Sequence, residues 1–180
     1  MTASDVEFST RVFSDLTDAE QIKLHGLMTG NNDVSDELRL SLSDSFNIQR
    51  DPGLQANVTV ASHGGDPIGM IIWGPSNRTR LLADNPSIAD KITSAGFDPE
   101  KAYTSQVVII SEKHRGQGIG TRLSVSLRAA AVAMGYTTRL DFGYRSKSVK
   151  AFANTIRGNS AIDLDHTDAG GHAVSLFPLV

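Results

Sequence analysis

The chain has 180 residues, 39% of them hydrophobic and 21% charged, which are ordinary values for one folded domain and exclude a disordered chain or a fibre. Seventeen Lys and Arg against twenty Asp and Glu leave a net charge of -3, so no global field gathers nucleic acid and none is expected as a partner. With no cysteine, disulfides, thiolate metal sites and a cysteine nucleophile are excluded.

Residues 1–8 carry Asp5 and Glu7 without an apolar stretch, and the longest apolar runs, 67–73 and 129–134, are far below the ~20 residues that cross a bilayer. A cytoplasmic protein with no membrane segment is expected. Val6, Phe8, Val12 and Leu16 alternate imperfectly as a strand, and Thr17-Asp18-Ala19-Glu20 reads as a capping box. The helix it opens runs to about Gly30, with Ile22, Leu24, Leu27 and Met28 on its buried face, and a second helix from Ser35 carries Leu38, Leu42 and Phe46. A hairpin follows, its strands near 58–60 and 68–73 and its turn at His63-Gly64-Gly65-Asp66-Pro67. From 74 to 103 the composition turns polar, with one short helix at 87–95 ended by Gly96.

Residues 104–111 hold the continuous run Val107-Val108-Ile109-Ile110, as in a central strand buried on both faces. A helix over 121–136 places Leu123, Leu127, Ala130, Ala131 and Met134 on one side; a strand at 140–144, a helix at 148–157 and a strand at 172–179 complete the order. Between the central strand and its helix stands Arg115-Gly116-Gln117-Gly118-Ile119-Gly120. Glycine brings backbone amides to a ligand without a Cβ in the way, and a helix N-terminus offers N–H groups and partial positive charge to a phosphate. No Lys follows Gly120, so this is not a P-loop, and Gly-x-Gly-x-Gly departs from the dinucleotide fingerprint.

At these residues the sequence resembles the GNAT superfamily of N-acetyltransferases, whose acetyl-CoA motif Gln/Arg-x-x-Gly-x-Gly/Ala is matched by Arg115, Gly118 and Gly120. The resemblance covers nearly the whole chain and implies a single domain over 1–180. Its fold would be mixed α/β, a central, mostly antiparallel sheet with splayed central strands flanked by helices. It further implies that the amides of Arg115, Gly116, Gln117, Gly118, Ile119, Gly120 and Thr121 hold the pyrophosphate of acetyl-CoA, used as cosubstrate. The strand edge at Val108, Ile109 and Ile110 would pair with pantetheine and steady the oxyanion.

Members of the superfamily often carry an acid on the second splayed strand, an Asn five residues later and a Tyr seven beyond it. Neither the Asn nor the Tyr stands here. Ser146 or Ser148 takes the place of the Asn, and both are counted with the cofactor-binding residues; the first register makes Asp141 the base, and the second puts Gly143 there, two residues from Asp141. Asp141 could equally be a partner of Arg139 or Arg145. Glu112 is a second candidate base, and Tyr144 or Tyr103 could replace the missing Tyr. His114 reads as a solvated loop residue, and Trp73 and Phe152 as core. His25, His63, His166 and His172 have no metal spacing, and Asp163, Asp165 and Asp168 around His166 read as a polar loop, so no metal is assigned.

The resemblance thus implies an acetyl-CoA-dependent N-acetyltransferase acting on a primary amine of a small molecule or protein, with a homodimer compatible. The alternatives are an acyl-CoA-binding module without chemistry and a toxin that acetylates aminoacyl-tRNA, for which the net charge offers no basic face.

Overall fold

The computed structural model describes residues 5–30, 46–47, 51–78, 86–142, 162–167 and 173–179. The second helix read from Ser35, apart from Phe46, and the helix at 148–157 with Phe152 lie outside them. No helix among the described residues is long and apolar enough to cross a membrane. The chain divides into two compact units, one of residues 1–73 and 106–127, the other of 74–105 and 128–180.

In the first unit, β1 (Val6–Val12), β2 (Asn57–His63), β3 (Asp66–Pro75, of which 66–73 belong here) and the end of β4 (Ala102–Ile110) are adjacent in that order. β1 pairs antiparallel with β2, and β2 with β3. Gly64 and Gly65 take φ of +58° and +82°, the two positive angles that a two-residue hairpin turn demands of its central residues. α1 (Asp18–Thr29) opens on the expected capping box: Thr17 accepts from the Glu20 N–H, and Glu20 accepts from the Thr17 N–H. Its buried stripe is Gln21, Leu24 and Met28, while Ile22 is 69% exposed, contrary to the sequence reading. One residue is 100° on a helix, and Gln21 takes the inward place by donating Nε2–H to the Leu16 carbonyl at 3.0 Å.

The core of this unit packs Phe13 edge-on to Phe46, ring centroids 4.9 Å apart, with Leu24, Met28, Met70, Ile72, Val107 and Ile109 around them. Trp73 is buried as expected and donates Nε1–H to the Thr59 hydroxyl at 3.0 Å. The run on β3 is buried on both faces, whereas the run on β4 alternates: Val107 and Ile109 face inward, Val108 is 44% exposed and Ile110 half-buried. That corrects the reading of 107–110 as a doubly buried strand.

In the second unit the order is β4, β5 (Thr138–Phe142), β7 (Ala173–Pro178), β6 (Ile162–Thr167). β4 pairs parallel with β5 at Ala102↔Thr138, Tyr103↔Arg139 and Thr104↔Leu140, and the other pairings are antiparallel. β6 is a strand the sequence reading did not include: Asp163, Asp165 and His166 lie on it rather than in a loop. Ladder bonds to β7 override a polar pattern of low strand propensity. α2 (Pro86–Ser94) buries Ile88 and Ile92 against Leu140, Leu164, Val174 and Leu176, and Gly96 ends it at φ +86°. α3 (Ile119–Ala133) contributes its first nine residues to the first unit and the rest to the second. It buries Leu123, Leu127 and Ala131, but Met134 falls past its end and is 50% exposed, because Gly135 at φ +89° has already turned the chain.

Candidate functional site

The loop between β4 and α3 is built by backbone rather than by packing. Ser111 donates its N–H to the Ile68 carbonyl on β3 at 2.9 Å, which anchors the start of the loop. A 3-10 turn over Glu112–His114 follows, closed by the Arg115 N–H on the Glu112 carbonyl. Gly116 and Gly118 then take φ of +73° and +74°, which L side chains rarely adopt, and a Cβ at either would meet none of the described residues within 4 Å. Among the described residues no packing contact forces a glycine at either position, so the arrangement is set by the backbone turn.

α3 begins directly behind this turn, with Arg122 N–H bonded to the Gly118 carbonyl at 3.1 Å, and Ile119 anchoring the first turn in the apolar interior. The opening amides of such a helix have no intrahelical acceptor and point out of its end, where the aligned peptide dipoles favour an anion. Arg115 donates Nε–H to the Ile110 carbonyl at 3.3 Å, and Gln117 donates Nε2–H to the Lys113 carbonyl at 3.0 Å. The donor set is therefore backbone N–H groups, an oriented guanidinium and an amide, which suits a diphosphate.

Three further observations bear on the site. Gly69, buried on β3, lets β4 and α3 approach: a Cβ there would stand 2.8 Å from Ile110 Cδ1 and 3.0 Å from Leu123 Cδ1. The sequence reading passed over it, although a glycine inside an apolar strand run is the signal of a close approach. Arg122 lays its guanidinium over the Phe8 ring, 4.6 Å from the centroid, and so ties the first turn of α3 to β1. His114, read as solvated, is half-buried, and its Nδ1 is buried with no hydrogen-bond partner among the described residues.

Asp141 stands in the second unit on β5, 6% exposed at its side chain. Arg139, two residues earlier and therefore on the same strand face, donates Nε–H to Oδ1 at 2.8 Å and Nη2–H to Oδ2 at 2.5 Å. The same guanidinium hydrogen-bonds Tyr103, its register partner on β4, and lies 5.9 Å from the Phe177 ring centroid on β7. Burial, above all, pushes the Tyr103 phenol up to about 12, with Arg139 acting against the rise and Asp141 adding to it. Tyr103 also packs edge-on to Tyr136, centroids 5.9 Å apart. This is a closed, buried polar cluster.

The structure thus brings Val108, Ile109, Ile110, Glu112, Arg115, Gly116, Gln117, Gly118, Ile119, Gly120 and Thr121 into one strand-turn-helix of the first unit, with Glu112 exposed. Asp141 belongs to the other unit, and Tyr144, Ser146 and Ser148 lie outside the described residues. No group of three or more His, Asp or Glu among the described residues is arranged to hold a metal ion.

No family model matches this sequence, and no curated protein matches it. Solved structures do. PaiA N-acetyltransferase from Thermoplasma acidophilum, in complex with coenzyme A, is similar with a TM-score of 0.62 at 12% identity, over 96% of this chain and 99% of that one. A Desulfovibrio desulfuricans protein assigned as an acetyltransferase of the GNAT family also gives 0.62 at 12%, over 97% and 99%. An acyl-CoA N-acyltransferase from Pseudomonas aeruginosa gives 0.60 at 15%, over 96% and 99%. The fold is that of the GNAT N-acetyltransferases, a mixed α/β architecture.

Proposed function

We propose that this protein is an acyl-CoA-dependent N-acyltransferase that moves an acetyl group from acetyl-CoA to a primary amine of a small molecule or protein, with both substrates bound together and residues 1–180 acting as one catalytic domain. The observation that carries the reading is the loop at 115–121, whose two positive-φ glycines turn β4 into the start of α3 with no Cβ over the amides. The fold supports the same class. Acetyl-CoA, when bound, supplies an acyl group activated as a thioester.

The chain's part is binding and orientation. Amides of residues 118–121 hold the diphosphate, and Arg115, already steered by its bond to Ile110, adds positive charge at small ordering cost. Peptide groups of Val108, Ile109 and Ile110 align the pantetheine arm, and a backbone N–H there faces the developing oxyanion. The attacking amine must be neutral, so a group has to accept its proton. Both Asp141 oxygens already accept from Arg139, and protonation there would first break a buried ion pair. We therefore place Glu112, exposed beside the loop, or water ahead of Asp141 in that role.

The same clamp on Asp141 favours a second reading, an acyl-CoA-binding module without turnover. Coenzyme A at about 100 times its Kd should raise Tm by roughly 5–10 °C, and Gly118→Glu should abolish the rise by placing a carboxylate where the diphosphate sits. Gly118→Asn, whose side chain tolerates positive φ, separates the ligand effect from backbone strain and should keep most of the shift. Wild type with no shift sinks both readings. A shift without thiol release from acetyl-CoA over a panel of amines, polyamines and peptides leaves the binding module.

A further inference from the structure

In the first unit a cavity of about 130 Å³ lies between α1 and the β1–β2 ribbon, and none of the glycine-loop residues lines it. Its position follows from register. Ser9 stands opposite Val60 and Arg11 opposite Val58, so these four side chains share one face of the ribbon, and α1 crosses that face. Leu16, Leu24, Val58, Val60 and Pro67 form an apolar wall. The volume is close to that of a cavity of roughly 150 Å³ that accommodates benzene, so an occupant has about six to eight heavy atoms.

The polar groups decide the sign of its head. Among the described residues of the lining Glu20 is the one carboxylate, and both of its oxygens are engaged: Oε1 accepts from Arg11 at 2.5 Å, and Oε2 from the Thr17 N–H and hydroxyl at 2.8 Å each. The Thr17 N–H, most of all, holds its carboxyl below the usual range, so the group stays ionised and committed to the helix cap. Arg11 has donated Nη1–H to Glu20 and Nη2–H to the Asp15 carbonyl, which leaves a guanidinium with further N–H groups. Lys23 gives one bond to Asp66 at 3.0 Å, in a pair whose side chains are 56% and 78% exposed. Ser9 and Ser62 add hydroxyl donors to the wall.

An amphipathic ligand entering here meets donors and, among the described residues, a net positive lining whose carboxylate is already occupied. We propose that this cavity binds a small amphipathic carboxylate, its alkyl or aromatic body on the Leu24–Val60 wall and its carboxylate on Arg11 and Lys23. Asp66 takes one of the three N–H donors of Lys23, and the ligand carboxylate takes another, so the ion pair with the ligand is a net gain. Glu7, opposite Ser62 on the ribbon, and Asp66 stand outside the lining and do not offer a cation a site within it.

The test titrates the full chain with sodium hexanoate, hexylamine hydrochloride and 1-hexanol at equal ionic strength, following Tm and heat of binding. Hexanoate should give a saturable rise and hexylamine none. Lys23→Gln, an exposed change that leaves the fold intact, should weaken hexanoate binding roughly three- to fivefold, as expected for one exposed ion pair. Ser62→Leu, which narrows the cavity, should remove the rise. Equal shifts with hexanol or hexylamine, no shift with hexanoate, or an unchanged affinity in Lys23→Gln would each overturn the assignment.

Discussion

Two arginine–carboxylate contacts of equal length, both 2.5 Å, do different work in this chain. Arg11 and Glu20 are 43% and 42% exposed at the side chain, while Arg139 and Asp141 are 15% and 6%. In water the first pair gains little beyond the helix cap it completes, and its spare donors stay available to a ligand. The second has lost most of its hydration, a cost offset because the guanidinium meets Asp141, Tyr103 and Phe177. Bond length is therefore a poor guide to function. What separates a fold element from an exchangeable contact is how much solvent each group gave up to make it.

The sharpest way to break the contrast is Asp141→Asn. It leaves Arg139 buried without its anion, and the expected loss is about 3 kcal/mol, the low end for a broken buried pair because Tyr103 and Phe177 remain. Chemical denaturation measures it. The same variant tests the base role: a roughly 100-fold fall in kcat/KM of the folded variant at pH 7 that recovers toward pH 9 would restore Asp141 as proton acceptor over Glu112.

A smaller effect comes from Tyr103. Its folded value of about 12 lies above the ordinary 10, so the contribution is complete below pH 10 and lost as pH rises from 10 to 12, where the unfolded phenol ionises first. The loss is roughly 2 kcal/mol, and Tyr103→Phe should flatten that limb of the stability profile. A wild-type profile parallel to that of Tyr103→Phe would mean that the phenol reaches solvent.

The least change is expected at Glu20, whose folded value is lowered chiefly by the Thr17 N–H. Its contribution is present above the ordinary carboxylate value and lost as pH falls through the folded one. The advantage of wild type over Glu20→Gln should therefore shrink below about pH 4.5 and be steady at neutrality, as thermal melts from pH 3 to 7 would reveal. An advantage that persists at pH 3 would remove the charge from the account of the cap.

Much of this was legible along the chain, and the legible parts are local. The capping box at Thr17 and Glu20, the Gly64-Gly65 turn and the glycine motif from Arg115 to Gly120 each close within a few residues, so residue types at fixed spacing suffice to identify them. The candidate cofactor loop is of this kind. The candidate base is not, because a carboxylate's role depends on what stands opposite, and Arg139, Tyr103 and Phe177 come from three strands.

The remaining differences share that cause. The runs at 68–73 and 107–110 are equally apolar, yet the first is buried on both faces and the second on one. Ile22 and Met134 are as hydrophobic as their buried neighbours and still face outward. β6 carries aspartates and a histidine that no local preference would put in a ladder. By itself the sequence determined turns, caps and the order of most elements, since these follow from φ preferences and hydrogen bonds between near neighbours. Tertiary structure decided which face of each element is covered and which charges are paired, because burial and desolvation depend on segments far away in the chain.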